Sequence, residues 1–531
     1  MAFISLPFII FITAVTLVYF IVPERSRWIV LLAASYLFFW INSGWLVLVL
    51  FANTAAAFFT ARAIWSVNEK SRKLLKEKGA GLSAAEKRLY KSRAKSASRR
   101  ILTAGIILDL GTLLFLKYFN FFAGLSAPLL SRFGFTPLSL DLLLPLGISF
   151  YTLQAIGYMI DVSRGKYEPD RHLGRFMLFM SFFPQIVQGP IARHDQLAHQ
   201  LYEGHGFDYD RLTRGIQLIV WGWMKKSVIA DRIAIPTNEI FINNSRYSGA
   251  LVLFGAMCYG IQVYADFSGG MDIARGVAQI FGIDLELNFR QPYFARSIEE
   301  FWRRWHITLG SWMRDYVFYP LSLSKSFGSL GKKARKLFGN NIGKKLPSFL
   351  AMFIVYFLVG FWHGPSWKYI VYGIWNGIFI AGGILLADTY DKARALCGIG
   401  PDSCTWRVFQ IIRTFFICSI GRIFSRAASL RTAMSMLGSM FRSWYRLFFF
   451  TDGSLRRLGL SSADWILLAV SIAVLFAADR LHEQNVCIRE SIARQNIVFR
   501  WIIYLSAVMI ILVFGMYGPG YDAAGFIYEK F

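Results

Sequence analysis

An all-α polytopic membrane protein is the fold class that this sequence predicts, and three observations predict it. Hydrophobic residues make up 55% and aromatic residues 17% of the 531 positions, outside the usual composition of soluble globular domains. Apolar segments near or above the length that crosses a roughly 30 Å hydrocarbon layer recur from end to end. They cover residues 3–22, 45–64, 101–122, 142–160, 250–265, 369–387, 464–478 and 499–517, with shorter or interrupted runs between them. Lys and Arg are concentrated in the connections, as expected for loops on the cytoplasmic side.

The first segment has no Lys or Arg before it and runs into Pro23, Glu24, Arg25, Ser26 and Arg27. It therefore reads as a retained helix with its N-terminus outside, and not as a cleaved signal. Residues 1–64 give three helices with short connections. Residues 66–100 hold twelve Lys or Arg against three Glu, and residues 322–346 hold seven against no acidic residue. Both runs belong in the cytoplasm, where they would also attract anionic lipid headgroups; the second is suited in addition to an anionic substrate. The same logic places residues 24–27 and 161–172 inside and residues 123–141 outside. The net charge of +26 is thus a matter of topology. It gives no support to nucleic-acid binding, because the basic residues sit in loops between apolar segments.

From residue 173 to 321 the pattern changes. Apolar runs are broken by Pro184, Gln185, Gln188, Gly189, Pro190, Lys225, Lys226, Asp231, Arg232, Asp266 and Asp272. Such groups survive at membrane depth only where they pack in protein or line a wet cavity, so a tunnel or funnel is expected here, with some pieces re-entrant or interfacial. Asp266, Gln188, Trp305 and Trp362 are candidate lining residues, although for Asp266 and Gln188 structural pairing with nearby Arg or Lys is an equal alternative. Residues 405–450 mix apolar side chains with Arg407, Arg413, Arg422, Arg426, Arg431, Arg442 and Arg446, which fits two interrupted spans or interfacial amphipathic helices. Two apolar segments and a tail with Asp522, Glu529 and Lys530, placed outside, close the chain. No internal repeat and no separate soluble domain is discernible. The five cysteines, Cys258, Cys397, Cys404, Cys418 and Cys487, show no metal-ligand spacing, so no metal is expected.

Two histidines carry the functional argument. His363 lies in residues 346–367 (LPSFLAMFIVYFLVGFWHGPSW), where no other side chain bears a formal charge; an ionisable group in hydrocarbon costs several kcal/mol and marks a candidate site. The bland reading is a packed histidine bonded to a backbone carbonyl. His306 lies in EEFWRRWHITLGSWMRDY, residues 299–316. If that segment is one helix, Arg303, His306, Gly310 and Arg314 share a face, with a glycine for close approach and two arginines suited to phosphate. Its bland reading is an aromatic-belt residue beside Trp302, Trp305 and Trp312.

The strings NFRQPYFARSIEEFWRRWHITLGSWMRDYVFYPL (288–321) and VGFWHGPSWKYIVYGIWNG (359–377) resemble the membrane-bound O-acyltransferase family. VYADFSGGMDIARGVAQIFGI (263–283) and FFPQIVQGPIAR (182–193) look like its bacterial branch, typified by the alginate O-acetyltransferase membrane subunit. The resemblance implies a single integral membrane domain over residues 1–531, with a catalytic core at 142–388, C-terminal helices at 389–531 and about 11–13 membrane helices around a tunnel or funnel. It implies His363 as the catalytic histidine and His306 as the second polar residue of the active site. It further implies a bacterial inner-membrane enzyme that moves an acetyl group from cytoplasmic acetyl-CoA, a substrate rather than a tightly bound cofactor, to an extracytoplasmic polysaccharide or cell-wall polymer. The branch often works with a secreted serine-hydrolase-like acetyltransferase as partner. Arg303, Arg304 and Arg314, with the basic 322–346 loop, are candidates to meet the donor phosphates. The basic run at 66–100 and the Gly364-Pro365-Ser366 continuation depart from the family pattern. Two other readings compete: D-alanyl transfer from a carrier-protein thioester toward teichoic acid, and, in another class, a proton-coupled transporter using His306, His363 and Asp266.

Overall fold

Backbone polar groups in hydrocarbon must be satisfied within the chain, so apolar segments of this length can only become helices, and they do. The computed structural model describes residues 1–78, 81–136, 138–442 and 453–517; Arg446 and the tail with Asp522, Glu529 and Lys530 lie outside the described residues. Among the described residues the regular structure is helical, with one isolated antiparallel bridge between Phe289 and Trp305. Among the described residues, eight helical stretches are long and apolar enough to span a membrane. The chain is therefore an all-α, multi-pass membrane protein.

The chain folds as two compact units, Met1–Ile216 with Ala274–Glu286, and Gln217–Ile273 with Leu287–Phe531. The first contains α1 (Leu6–Ile21), α2 (Arg27–Ser43), α3 (Val47–Glu77), α4 (Ala84–Arg132), α5 (Ile148–Ser163), α6 (Leu173–Ser181), α7 (Phe183–Ile186) and α8 (His194–Tyr202). Phe3, Phe8, Phe38 and Phe183 form an aromatic core, with ring centroids 4.8 Å apart for Phe3 and Phe8 and 5.8 Å for Phe38 and Phe183. At 1.5 Å per residue, α3 and α4 are about 46 and 73 Å long, so both outrun the hydrocarbon layer. A reciprocal cap between Ser83 and Glu86 starts α4. Gln188 is fully buried in this unit, its side-chain amide without a hydrogen-bond partner among the described residues.

The helices α9 (Tyr209–Trp223) and α11 (Ala250–Ile280) run across the boundary between the units. In the second unit α9 passes into a π-helical turn, Met224–Ala230, followed by α10 (Asp231–Ile242). That turn carries the charges that interrupt the hydrophobic pattern, and each is compensated, as burial of charge requires. Lys226 lies 2.8 Å from Asp266 and 2.9 Å from Asp231, while Lys225 lies 2.5 Å from Asp272 and 3.0 Å from the hydroxyl of Ser268. Of the two readings open for Asp266, the structure shows the ion pair. Further along come α12 (Ile298–Arg304), α13 (Ile307–Met313), α14 (Tyr319–Ser322), α15 (Lys325–His363, kinked at Gly339) and α16 (Trp367–Leu396). The arginine-bearing block yields α17 (Cys404–Arg426), long enough to span, and the shorter α18 (Leu430–Met440); α19 (Ser462–Glu483), α20 (Ile488–Ala493) and α21 (Ile497–Phe514) follow. The phenol of Tyr264 on α11 donates to Asp479 on α19 at 2.8 Å.

Candidate active site

His363 is the last residue of α15, where the transmembrane helix stops, and it is buried. Its position follows from a close crossing of α15 and α16. A Cβ added at Gly360 would fall 2.4 Å from the carbonyl oxygen of Tyr369, and one at Gly373 would fall 2.3 Å from that of Tyr356. Only glycine at both positions lets the two backbones approach this closely, the arrangement by which helices pack in membranes. One turn past the crossing, His363 is flanked by the rings of Trp362, Tyr372 and Tyr369, at centroid distances of 5.2, 6.0 and 6.5 Å. Tyr372 is held in turn: its carbonyl accepts from the Asn376 amide at 2.8 Å, and the Asn376 carbonyl accepts from the Trp302 indole at 3.0 Å.

His306 is placed by a different device. The segment around it is not one helix. After Arg304 the chain turns extended at Trp305 and enters the left-handed region at His306 (φ 48°, ψ 52°) before α13 begins. The single-face arrangement of Arg303, His306, Gly310 and Arg314 is therefore not formed. The break is set from outside the segment: residues 288–290 lie along it, with the Arg290 N–H donating to Arg304 O at 2.9 Å and the Ile307 N–H to Asn288 O at 3.0 Å. The buried Asn288 side chain completes the clamp. Its Oδ1 accepts from the backbone N–H and hydroxyl of Thr308 at 3.0 and 2.9 Å and faces His306 Nδ1 at 3.3 Å. With Oδ1 as acceptor the imidazole proton sits on Nδ1, which leaves the lone pair on Nε2. The Phe267 ring meets the imidazole edge-on at 5.0 Å and Trp362 at 5.8 Å.

The two histidines thus flank one indole, that of Trp362. Behind them Trp305 is buried, stacked on Phe301 at 5.4 Å, with the Arg422 guanidinium 4.6 Å from its ring centre. Arg422 is itself buried and donates to the Tyr293 hydroxyl at 2.7 Å. No motif pointed to Arg422, which of the four arginines of α17 is the buried one. The three arginines assigned to the donor separate. Arg303 and Arg314 are exposed, with local partners Glu299 at 3.7 Å and Asp315 at 3.0 Å, whereas Arg304 is gripped by Glu300 and Glu483, each at 2.7 Å.

Asn288 gives a direct check on this geometry. Asn288→Leu removes the acceptor for both Thr308 donors and the His306 contact, leaving buried groups unsatisfied. A loss of about 2–3 kcal/mol is expected, read as a lower midpoint of heat denaturation in detergent together with reduced acyl transfer.

An all-helical, multi-pass bundle with two imidazoles buried beside a shared indole defines a membrane protein with a candidate site in its interior. Comparison with known proteins narrows the class. The profile of the membrane-bound O-acyltransferase family matches residues 170–429. The chain is 32% identical over 455 residues to the probable alginate O-acetylase AlgI of Pseudomonas syringae pv. tomato, covering 86% of this chain and 76% of that one. It is 30% identical over 380 residues to the peptidoglycan O-acetyltransferase of Helicobacter pylori, covering 66% and 67%. It is also 31% identical over 269 residues to the teichoic acid D-alanyltransferase of Streptococcus thermophilus, covering 48% and 61%. The chain belongs to the membrane-bound O-acyltransferase family and is an acyltransferase.

Proposed function

We propose that the protein takes an acetyl group from cytoplasmic acetyl-CoA and passes it across the bacterial inner membrane for O-acetylation of an extracytoplasmic polysaccharide or cell-wall polymer, through a secreted acetyltransferase partner. The observation that carries the reading is the pair of buried imidazoles beside Trp362. An alcohol is a weak nucleophile at neutral pH, and a neutral imidazole can take its proton as it attacks. His363 is the base. The acceptor oxygen bonds to the thioester carbonyl carbon as its proton passes to His363. The tetrahedral intermediate then collapses, the carbon–sulfur bond breaks, and the imidazolium returns the proton to the coenzyme A thiolate. Held by Asn288 and Phe267, His306 presents a fixed group to the donor carbonyl, and the aromatic walls keep water from hydrolysing the thioester. Trp305, Trp362 and Asp266 line the path within the second unit; for Asp266 this role runs through its pair with Lys226.

Acetyl transfer is favoured over D-alanyl transfer by coverage. The likeness to the acetylase extends over most of the chain and that to the D-alanyltransferase over about half, 86% against 48%. Cells lacking the gene should lose ester-linked acetate, with ester-linked D-alanine unchanged; the reverse pattern would select the D-alanyl reading.

Donor recognition has its own test. Arg303→Glu and Arg314→Glu should raise the KM for acetyl-CoA about tenfold each while leaving kcat within a factor of a few, as for lost uniform binding. Arg304→Glu should instead reduce the amount of folded protein, because its guanidinium holds Glu300 and Glu483. An unchanged KM in Arg303→Glu and Arg314→Glu removes both from the donor site.

A further inference from the structure

The first unit contains a cavity of about 630 Å³ between the membrane-distal parts of α3 and α4, with the end of α5 at one side. Five of its lining residues are cations, Arg72, Lys91, Lys95, Arg99 and Arg164, and none is a carboxylate. These charges are exposed, yet they line the cavity between the two helices. On α3 the residues at the cavity are Asn68, Ser71, Arg72 and Leu75, which continue at helical spacing the stripe of Leu50, Ala57, Ala61 and Ile64 that is buried within the apolar stretch. On α4 the cavity residues Lys91, Lys95, Ser98 and Arg99 likewise lead into the inner face at Gly105 and Asp109. Two helices that pack together inside the membrane thus turn like charges toward each other outside it. Like charges facing across a groove repel, while outward positions, such as those of Lys73 and Lys76, were open to the same residues.

The walls are furnished to receive an anion. The Ser98 hydroxyl donates to Asn68 Oδ1 at 2.7 Å across the cavity wall, and Arg72 is steered by Glu69 at 3.6 Å and by the face of Trp65 at 5.9 Å. Trp65 follows the last buried apolar residue of α3, the place of an interfacial aromatic. Asn68 lies about 5 Å and Arg72 about 10 Å beyond it along the axis, so the cavity begins at headgroup depth and rises out of it.

We propose that this cavity is a phosphate-binding site, filled by a phosphorylated anion of charge two or more or by the phosphate of an anionic phospholipid headgroup, and that the bound phosphate holds the basic ends of α3 and α4 together. By the positive-inside rule it faces the cytoplasm. The proposal is independent of the acyl-transfer reading, since no residue of the cavity belongs to that site.

The test uses the full-length protein. In the lipid arm it is extracted from membranes containing phosphatidylglycerol, and retained lipid is counted by native mass spectrometry. Wild type and the control Lys73→Glu/Lys76→Glu should keep one phosphatidylglycerol that Lys95→Glu/Arg99→Glu loses. The half-saturating lipid concentration should rise about thirtyfold for the cavity variant, from roughly 1 kcal/mol per cation. In the soluble arm, protein in phosphatidylcholine nanodiscs is titrated with inorganic phosphate or coenzyme A. A raised melting midpoint in wild type but not in the cavity variant assigns the site to a soluble phosphate. If Lys95→Glu/Arg99→Glu does not fold, Lys95→Gln/Arg99→Gln replaces it. Equal loss of lipid in the cavity and control variants, with no response to phosphate or coenzyme A that the cavity variant lacks, overturns the proposal in favour of a diffuse basic surface.

Discussion

Membranes carrying His363→Ala are expected to transfer acyl groups about 10²–10⁴ times more slowly than wild type, the range for removing a general base, with the protein present at normal level. The expectation rests on position. His363 ends α15, its backbone fixed by the Gly360–Gly373 crossing and its ring by Trp362, Tyr369 and Tyr372, so alanine removes the imidazole without disturbing what holds it. His363→Gln fills much of the same space and keeps hydrogen-bonding capacity but cannot take a proton, and it should be as inactive as alanine. Activity retained by glutamine and lost by alanine would mean that the residue packs or orients and does not exchange a proton.

The second large effect is expected at the crossing itself. Gly373→Leu places a side chain where a Cβ already comes within 2.3 Å of Tyr356 O and 2.9 Å of Gly360 Cα, so α15 and α16 must separate. Misplacement of a reacting group by about 1 Å costs on the order of 100-fold in rate, and the lost packing lowers stability as well. Gly377→Ala is the internal comparison: its added Cβ would meet no atom closer than 3.4 Å, on Phe353 and Tyr356, and activity should remain within about twofold. Kinetics and heat denaturation of the two variants side by side separate a positional requirement at Gly373 from a general intolerance of substitution in α16.

Much of this was legible from residue types alone. The apolar segments announced the helices because hydrocarbon leaves the backbone no alternative, and His363 stood out because it is the sole group in its run that titrates near neutral pH. The region between residues 173 and 321 also announced itself as inward-facing through Lys225, Lys226, Asp266 and Asp272, whose partnerships with one another are structural facts that spacing does not reveal. What escaped the sequence is long-range in origin. Residues 299–316 carry a helical pattern, yet the chain breaks at Trp305 and His306 because residues 288–290 bond to the break and Asn288 caps Thr308. Arg304 reads as one of three equivalent arginines until Glu483, 179 residues away, is found against it. Arg422 gains meaning only beside Trp305 and Tyr293, which no local motif connects to it.

The measurement that bears most directly on the central claim is the ester-linked acetate on envelope and secreted polysaccharide from a deletion strain carrying either the wild-type gene or His363→Ala, with equal membrane levels of the two proteins verified. Acetate restored by wild type and absent with His363→Ala is the predicted result, and the acetylated material identifies the acceptor polymer. Acetate restored in full by His363→Ala would contradict the assignment of His363 as the base, and acetate unaltered by the deletion would contradict acetyl transfer itself.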